Sequence, residues 1–330
     1  IPTQLKSSLT IENDEDKEHK LENIISEQLV GCGFNEILNN SLTKENYYNS
    51  DELNAYPWAN TVKIMNPLST DLSVMRQTLV FGGLESLLRN INRKRDSLRF
   101  FEVGNVYRYT PEKDDHDAPI SAYTQEYHMG LWVTGKRVQG SWAHPDEDSS
   151  FYELKAYVQN ILKRTGLAAG LVVDNNLFAY GLSLKTRNGK VIADYGKLSH
   201  KVTHEAGIDQ DVYYAEINWS GVVKATKKNK IEFKHLSKYP AVSRDLALLV
   251  DENIEFAQIE QIARQTEKKL LKSVSLFDVY QGKNLPAGKK SYAVNFMFED
   301  EERTLTEKQI DAMMQKLVHN LTTKLGAELR

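Results

Sequence analysis

The last ninety or so residues constrain the fold most, because their hydrophobic spacing switches between the strand period and the helix period in an order that few topologies satisfy. Residues 245–251 (DLALLVD) read as a strand, and a helix from about Phe256 repeats Ile259, Ile262, Ala263, Thr266 and Leu270 every three or four positions. A second strand, 273–280 (SVSLFDVY), closes at Gln281-Gly282, and Leu285-Pro286-Ala287-Gly288 leads into a third, 291–298 (SYAVNFMF). Thr306 and Gln309 form a capping box for a second helix, whose stripe is Ile310, Met313, Leu317, Leu321 and Leu325. A final strand ends on the last residue.

Strand, helix, strand, strand, helix, strand is the split βαβ order, so a ferredoxin-like βαββαβ sheet with both helices on one face is predicted. Alternation separates the faces. Tyr292, Val294, Phe296 and Phe298, with Phe277 and Val279, are expected to meet the helices. Val274, Leu276, Asp278 and Tyr280 then lie beside Ser291, Ala293, Asn295 and Met297 on a face without cover from its own domain. A ring, a carboxylate, a hydroxyl and an amide on an open sheet suit unstacked RNA bases: the ring stacks, and the polar groups bond to base edges. The same face suits a protein contact, and tyrosine is also a good strand former.

A length of 330 residues leaves room for two domains, expected at 1–232 and 233–330. The net charge of −3 supplies no global drive toward nucleic acid, so RNA affinity must come from local basic groups and stacking. Lys224, Lys227, Lys228, Lys230, Lys234 and Lys238 surround the junction, as a solvated linker or as phosphate contacts. Cys32 is the single cysteine, which excludes an intrachain disulfide and a cysteine-rich metal site and suits a reducing compartment. With no apolar run of membrane length and no signal peptide, a cytoplasmic location is expected. A start at Ile1 rather than Met is expected of a piece of a longer chain.

Upstream, an acidic turn (Asp14, Glu15, Asp16) leads into a helix with the stripe Leu21, Ile24, Ile25, Gln28 and Leu29. Gly31-Cys32-Gly33-Phe34 ends it, and 35–39 turns into a strand. Further strands are predicted at 98–103, 128–134, 182–186, 191–195 and 212–217, with a turn at Asn188-Gly189 and a helix over 152–164 carrying Leu154, Tyr157, Val158 and Ile161. His200 and His204 have helical ligand spacing, but a third ligand is not evident and no metal site is expected. Ser, His and Asp occur without a nucleophile elbow.

The strings YPAVSRDLALLV (239–250), LFDVYQGKNLPAGKKSYAVNF (276–296) and RTLTEKQI (303–310) resemble the anticodon-binding domain that closes the beta subunit of bacterial phenylalanyl-tRNA synthetases. The resemblance implies that Tyr280, Asp278 and Ser291, with Arg244 at the edge of the first strand, face a tRNA anticodon; alternation adds Asn295. Residues 14–39 resemble motif 1 of class II synthetases, which packs at subunit interfaces, though an amphipathic surface helix has the same signature. Residues 66–107 resemble the segment leading into motif 2, in which active members place an arginine two residues before the motif glutamate. Here Glu102 is preceded by Phe100 and Phe101, and a phenyl ring cannot neutralise the charge that adenylyl transfer develops. No glycine-rich motif 3 with its closing arginine is found between 110 and 230.

The resemblance therefore implies an α+β chain: a class II synthetase-like antiparallel sheet domain with helices, without the chemistry, followed by the ferredoxin-like domain. No catalytic residue, metal ligand or cofactor is expected in it. Arg76 and the basic turn Arg93, Lys94 and Arg95 are expected as solvated or helix-end charges, with an anion site the alternative; Trp142, Phe151 and Tyr152 are expected to pack. The complete enzyme would hold two alpha and two beta subunits, with alpha using ATP and magnesium to charge tRNA(Phe) with phenylalanine. The rival readings are a protein-docking module on the same scaffold and a freestanding ligase with other site residues.

Overall fold

Strands that are apolar on both faces need a layer on each side before they can be buried. The computed structural model describes residues 14–49, 55–114, 117–118, 120–165, 171–172, 176–185, 189–227, 233 and 235–330. The chain divides into two units, Ile1–Lys230 and Ile231–Arg330.

In the first unit, β1 (Asn35–Glu36), β2 (Leu98–Tyr109), β3 (Tyr123–Thr134), β4 (Leu171–Val172), β5 (Phe178–Lys185), β6 (Val191–Leu198) and β7 (Val212–Asn218) form one sheet in the order β1-β2-β3-β7-β6-β5-β4. All neighbours are antiparallel except β1, which runs parallel to β2. On one face Phe101, Val103, Met129, Leu131, Val133, Ala215 and Ile217 share a core with three helices, α1 (Asp14–Gly31), α3 (Phe151–Thr165) and α5 (Trp219–Thr226). On the other, Phe100, Trp132, Tyr214 and Phe178 pack with Tyr48, Val74 and Leu79 and with α2 (Val80–Ile91), which presents Val80, Leu84 and Leu87. A short helix, α4 (His200–Glu205), adds Val202.

The long strands and helices fall where the periods place them, extended by a few residues. Gly189 adopts φ +80°, as a hairpin turn requires, while Asn188 lies outside the described residues. Lys228, Lys230 and Lys234 also lie outside them; Lys224, Lys227 and Lys238 are exposed.

Two packing expectations are corrected. The buried positions of α3, Leu154, Val158, Ile161 and Thr165, step by three or four, which leaves Tyr152 on the outer side and 77% exposed. Trp142 is fully exposed, in the connection between the two short paired strands Lys136–Val138 and Glu147–Asp148. Only Phe151 packs, stacked on Tyr195 with ring centres 5.9 Å apart.

The second unit runs β8 (Val242–Asp251), α6 (Phe256–Thr266), β9 (Leu271–Tyr280), β10 (Lys289–Phe298), α7 (Glu307–Leu325) and β11 (Glu328–Leu329), in the sheet order β9-β10-β8-β11 with antiparallel neighbours throughout. Leu248, Val250, Val294, Phe296 and Phe298 share its core with Ile259 and Ala263 of α6 and Ile310, Leu317 and Leu321 of α7. Leu270 falls after α6 has ended, in the approach to β9. At the start of α7 the predicted capping box of Thr306 and Gln309 is present, and in it the Gln309 carbonyl accepts from the Thr306 N–H at 3.1 Å. Gly326, at φ +63°, ends the helix in the left-handed conformation that a glycine adopts without strain.

Candidate nucleic-acid interface

Which side chains of the small sheet lack cover is decided by the register of β9. Its ladder with β10 slips twice, between Leu271 and Ser273 and between Leu276 and Asp278. Each slip inserts an extra residue and reverses the phase of everything beyond it. Val274 stands opposite Phe296 and Leu276 opposite Val294, so both belong with the core, contrary to the single-phase expectation. Phe277 sits in the second bulge and is 60% exposed. Val279 keeps its phase, opposite Tyr292, but is exposed on the edge strand. Past the bulge Asp278 pairs with Ala293 and Tyr280 with Ser291, which puts both on the face away from the helices.

Four of the five expected site residues are thus brought onto one face. Asn295 stands between Asp245 and Ser275 in the ladder and donates through Nδ2 to Asp245 Oδ1 at 2.6 Å and to the Ser243 hydroxyl. Ser291, flanked in the ladder by Leu249 and Tyr280, is only 6% exposed. Ala247 and Ala293 pair at the middle of the face and keep its floor low.

Arg244 goes the other way. It stands opposite Phe296 on the helix side and pairs with Glu307, in the first turn of α7, at 3.3 Å. Contributors outside the expected set include Ser243, Asp245 and Ser275 beside Asn295, and Arg330 and Gly282, which lie against the Tyr280 ring. Alternation carried past Glu328 and Leu329 would have found Arg330.

The polar face of the large sheet is a contrast. Arg76, expected as a solvated charge, is buried: Nη1 donates to Glu102 Oε1 at 2.6 Å and Nε to the Asn105 carbonyl at 2.8 Å. Asn39 completes the cover of Glu102, donating from Nδ2 at 2.6 Å. Phe100 and Trp132 are paired beside it in the core. Trp132 occupies the space that glycines leave, since a methyl on Gly130 would fall 2.5 Å from it and one on Gly83 2.0 Å.

Further along the face, Glu216 accepts from Tyr214 at 2.6 Å and from the Thr78 hydroxyl, and its Oε1 lies 2.7 Å from His128 Nδ1. Burial opposes charge on His128, but Glu126 and Glu216 outweigh it and raise the imidazole to about 9. Glu126, beside His128 and Lys190, is lowered to about 2. Burial alone would raise Glu216, yet the bonds from His128, Thr78 and Tyr214 hold it below the usual range. His200 and His204 stack with ring centres 5.6 Å apart, and among the described residues no group of three or more His, Cys, Asp or Glu is placed to hold a metal ion.

Residues 1–219 match the family described as "Phenylalanyl tRNA synthetase beta chain CLM domain", and residues 237–330 match "Ferredoxin-fold anticodon binding domain". A protein named phenylalanine–tRNA ligase beta subunit in Bacteroides fragilis is 56% identical over 334 residues, covering 100% of this chain and 40% of its own length. Proteins of the same name in Porphyromonas gingivalis and Syntrophotalea carbinolica are 47% and 35% identical, over 99% and 92% of this chain and 40% and 37% of their own. The chain thus spans about two fifths of these curated relatives.

Proposed function

The chain belongs to the phenylalanyl-tRNA synthetase beta-chain family, and from that premise we propose that it serves a phenylalanine–tRNA ligase as its tRNA-positioning and assembly portion. Residues 1–232 act as a class II-like scaffold, and residues 233–330 hold the anticodon of tRNA(Phe). The observation that carries this reading is the exposed face on which Tyr280 and Asp278 stand together beyond the bulge of β9, within a domain matched as anticodon-binding. A base unstacked from the anticodon loop lies on the Tyr280 ring, while Asp278 accepts from its donor edge. Asn295 extends the polar lining, while Ser291, 6% exposed, lies covered beside the ring. Arg244, held toward the helices by Glu307, reaches only backbone phosphate at the end of the strand.

Catalysis falls to an alpha subunit in a heterotetramer of two alpha and two beta chains, which uses ATP and magnesium. This chain's residues do not fit those groups. Phe100 stands where the motif would place its arginine, and the nearby face is filled by Trp132 and by an arginine already committed to Glu102. Among the described residues no helix is long and apolar enough to cross a membrane, and we place the enzyme in the cytoplasm.

The test is aminoacylation by the assembled enzyme with Tyr280→Ala. Loss of one stacked base costs about 1–3 kcal/mol, so KM for tRNA(Phe) should rise at least fivefold while KM for phenylalanine and ATP stays put. An unchanged KM for tRNA would defeat the reading.

A further inference from the structure

The ring that carries this reading is not held by its own strand alone. The N–H of Arg330, next after β11, donates to the Ala247 carbonyl at 3.0 Å, and alternation from Glu328, opposite Leu249, puts the Arg330 side chain on the open face. Tyr280 belongs to the opposite edge, with β10 and β8 between. Neighbouring strands lie about 4.8 Å apart, so some 14 Å separates the two backbones. Yet the guanidinium carbon lies 5.4 Å from the centre of the Tyr280 ring. The two side chains therefore meet over the open face, on the side where Ala247 and Ala293 are paired. A ring laid this way also explains why Ser291, its ladder partner, is covered. At the hydroxyl end the ring meets Gly282, where a methyl would fall 2.7 Å from the oxygen and 2.8 Å from the carbon bearing it.

We propose that Arg330 is a positioning and specificity residue of the RNA site, resting on the anticodon reading above: it fixes the Tyr280 ring in the orientation that receives a base and then donates to that base. The guanidinium is planar and offers parallel donors, so it can lie against an aromatic ring and bond to a base in the same plane. Its contact with the ring that receives the base aims it at the base and not at phosphate. Gly282 is the passive half of the device, leaving room for the ring to lie down.

The experiment measures KM and kcat for tRNA(Phe) with the assembled enzyme carrying Arg330→Ala, Arg330→Lys, Gly282→Ala or Tyr280→Ala, at several salt concentrations. Arg330→Ala should raise KM for tRNA about tenfold, in the range of a desolvated cation–ring contact plus a base contact. Saturating kcat, KM for ATP and the salt slope should not change. Gly282→Ala should raise KM by a comparable factor, and Arg330→Lys should recover only a small part of the loss, because it keeps charge without the planar fork. If Tyr280→Ala raises KM while Arg330→Ala leaves it unchanged or lowers it, Arg330 has no such role though the anticodon reading stands. Full rescue by Arg330→Lys, or a salt slope reduced by about one, assigns Arg330 to phosphate and also overturns the proposal. If Tyr280→Ala itself has no effect, the anticodon reading fails and the role of Arg330 fails with it.

Discussion

The large sheet of the first unit and the small sheet of the second each carry carboxylates, an amide and tyrosine on one face, and they treat them in opposite ways. In the first, the buried charges are answered from within the protein: Arg76 pairs with Glu102, and His128 sits between Glu216 and Glu126. In the second, Asn295 satisfies Asp245 and Arg330 lies against Tyr280, but Asp278 and Tyr280 remain exposed on the face away from the helices. Polar residues on a sheet thus do not in themselves mark a binding site. What separates the two is whether the chain has supplied a second layer, and the first unit has done so with α2 and the residues before it.

The comparison breaks most visibly if the buried pair is expendable. Arg76→Met leaves Glu102 charged, inaccessible and without its cation, which should cost about 3–5 kcal/mol. Chemical unfolding would read this as a lower midpoint. The double variant Arg76→Met/Glu102→Leu should regain much of the loss, and a single-variant cost below about 1 kcal/mol would mean that the face is not closed on itself.

On the open side the signs reverse: Asp278→Asn should leave the melting temperature nearly unchanged and weaken tRNA(Phe) binding by about 1.5–3 kcal/mol, as expected for a hydrogen bond to a charged group. Filter binding to the assembled enzyme measures it, and a stability loss without an affinity loss would make the two faces alike.

A smaller effect concerns pH. The folded pKa of His128, about 9, lies above the unfolded value, so the imidazolium contributes its full stability below about pH 6.5 and loses it as pH rises through 9. Stability should fall across that window by at most on the order of 1 kcal/mol per pH unit. A His128→Asn variant should lack this slope in thermal melts taken at successive pH values.

Smallest of all, Arg244→Ala removes an exposed ion pair worth less than about 1 kcal/mol. Its only expected trace on RNA is a salt slope shallower by about one. A base-selective loss of affinity would place Arg244 on the binding face after all.

The order of elements was legible because each keeps a clean period: Ile259, Ile262 and Ala263 in α6, or Tyr292, Val294, Phe296 and Phe298 in β10, leave little choice. The open face was legible only in part. A bulge has no signature in alternation, so Val274 and Leu276 were assigned to the wrong side, while Asp278 and Tyr280 lie beyond the second slip, where the phase is again the assumed one. Arg76 was misjudged because its partner is 26 positions away, outside any local window. Glu307 likewise turns Arg244 aside from 63 positions away. Pairings of this kind are properties of the packed chain.

The two slips of β9 bear on something besides the site. β9 is an edge strand, whose outer N–H and C=O groups could template pairing with another chain. A strand added there would have to follow an edge that changes phase twice in ten residues. The regular ladder that edge-to-edge aggregation needs cannot run far along it. The irregularity that sets Asp278 and Tyr280 in place thereby also lets the domain keep one face bare without inviting its own copies to stack beside it.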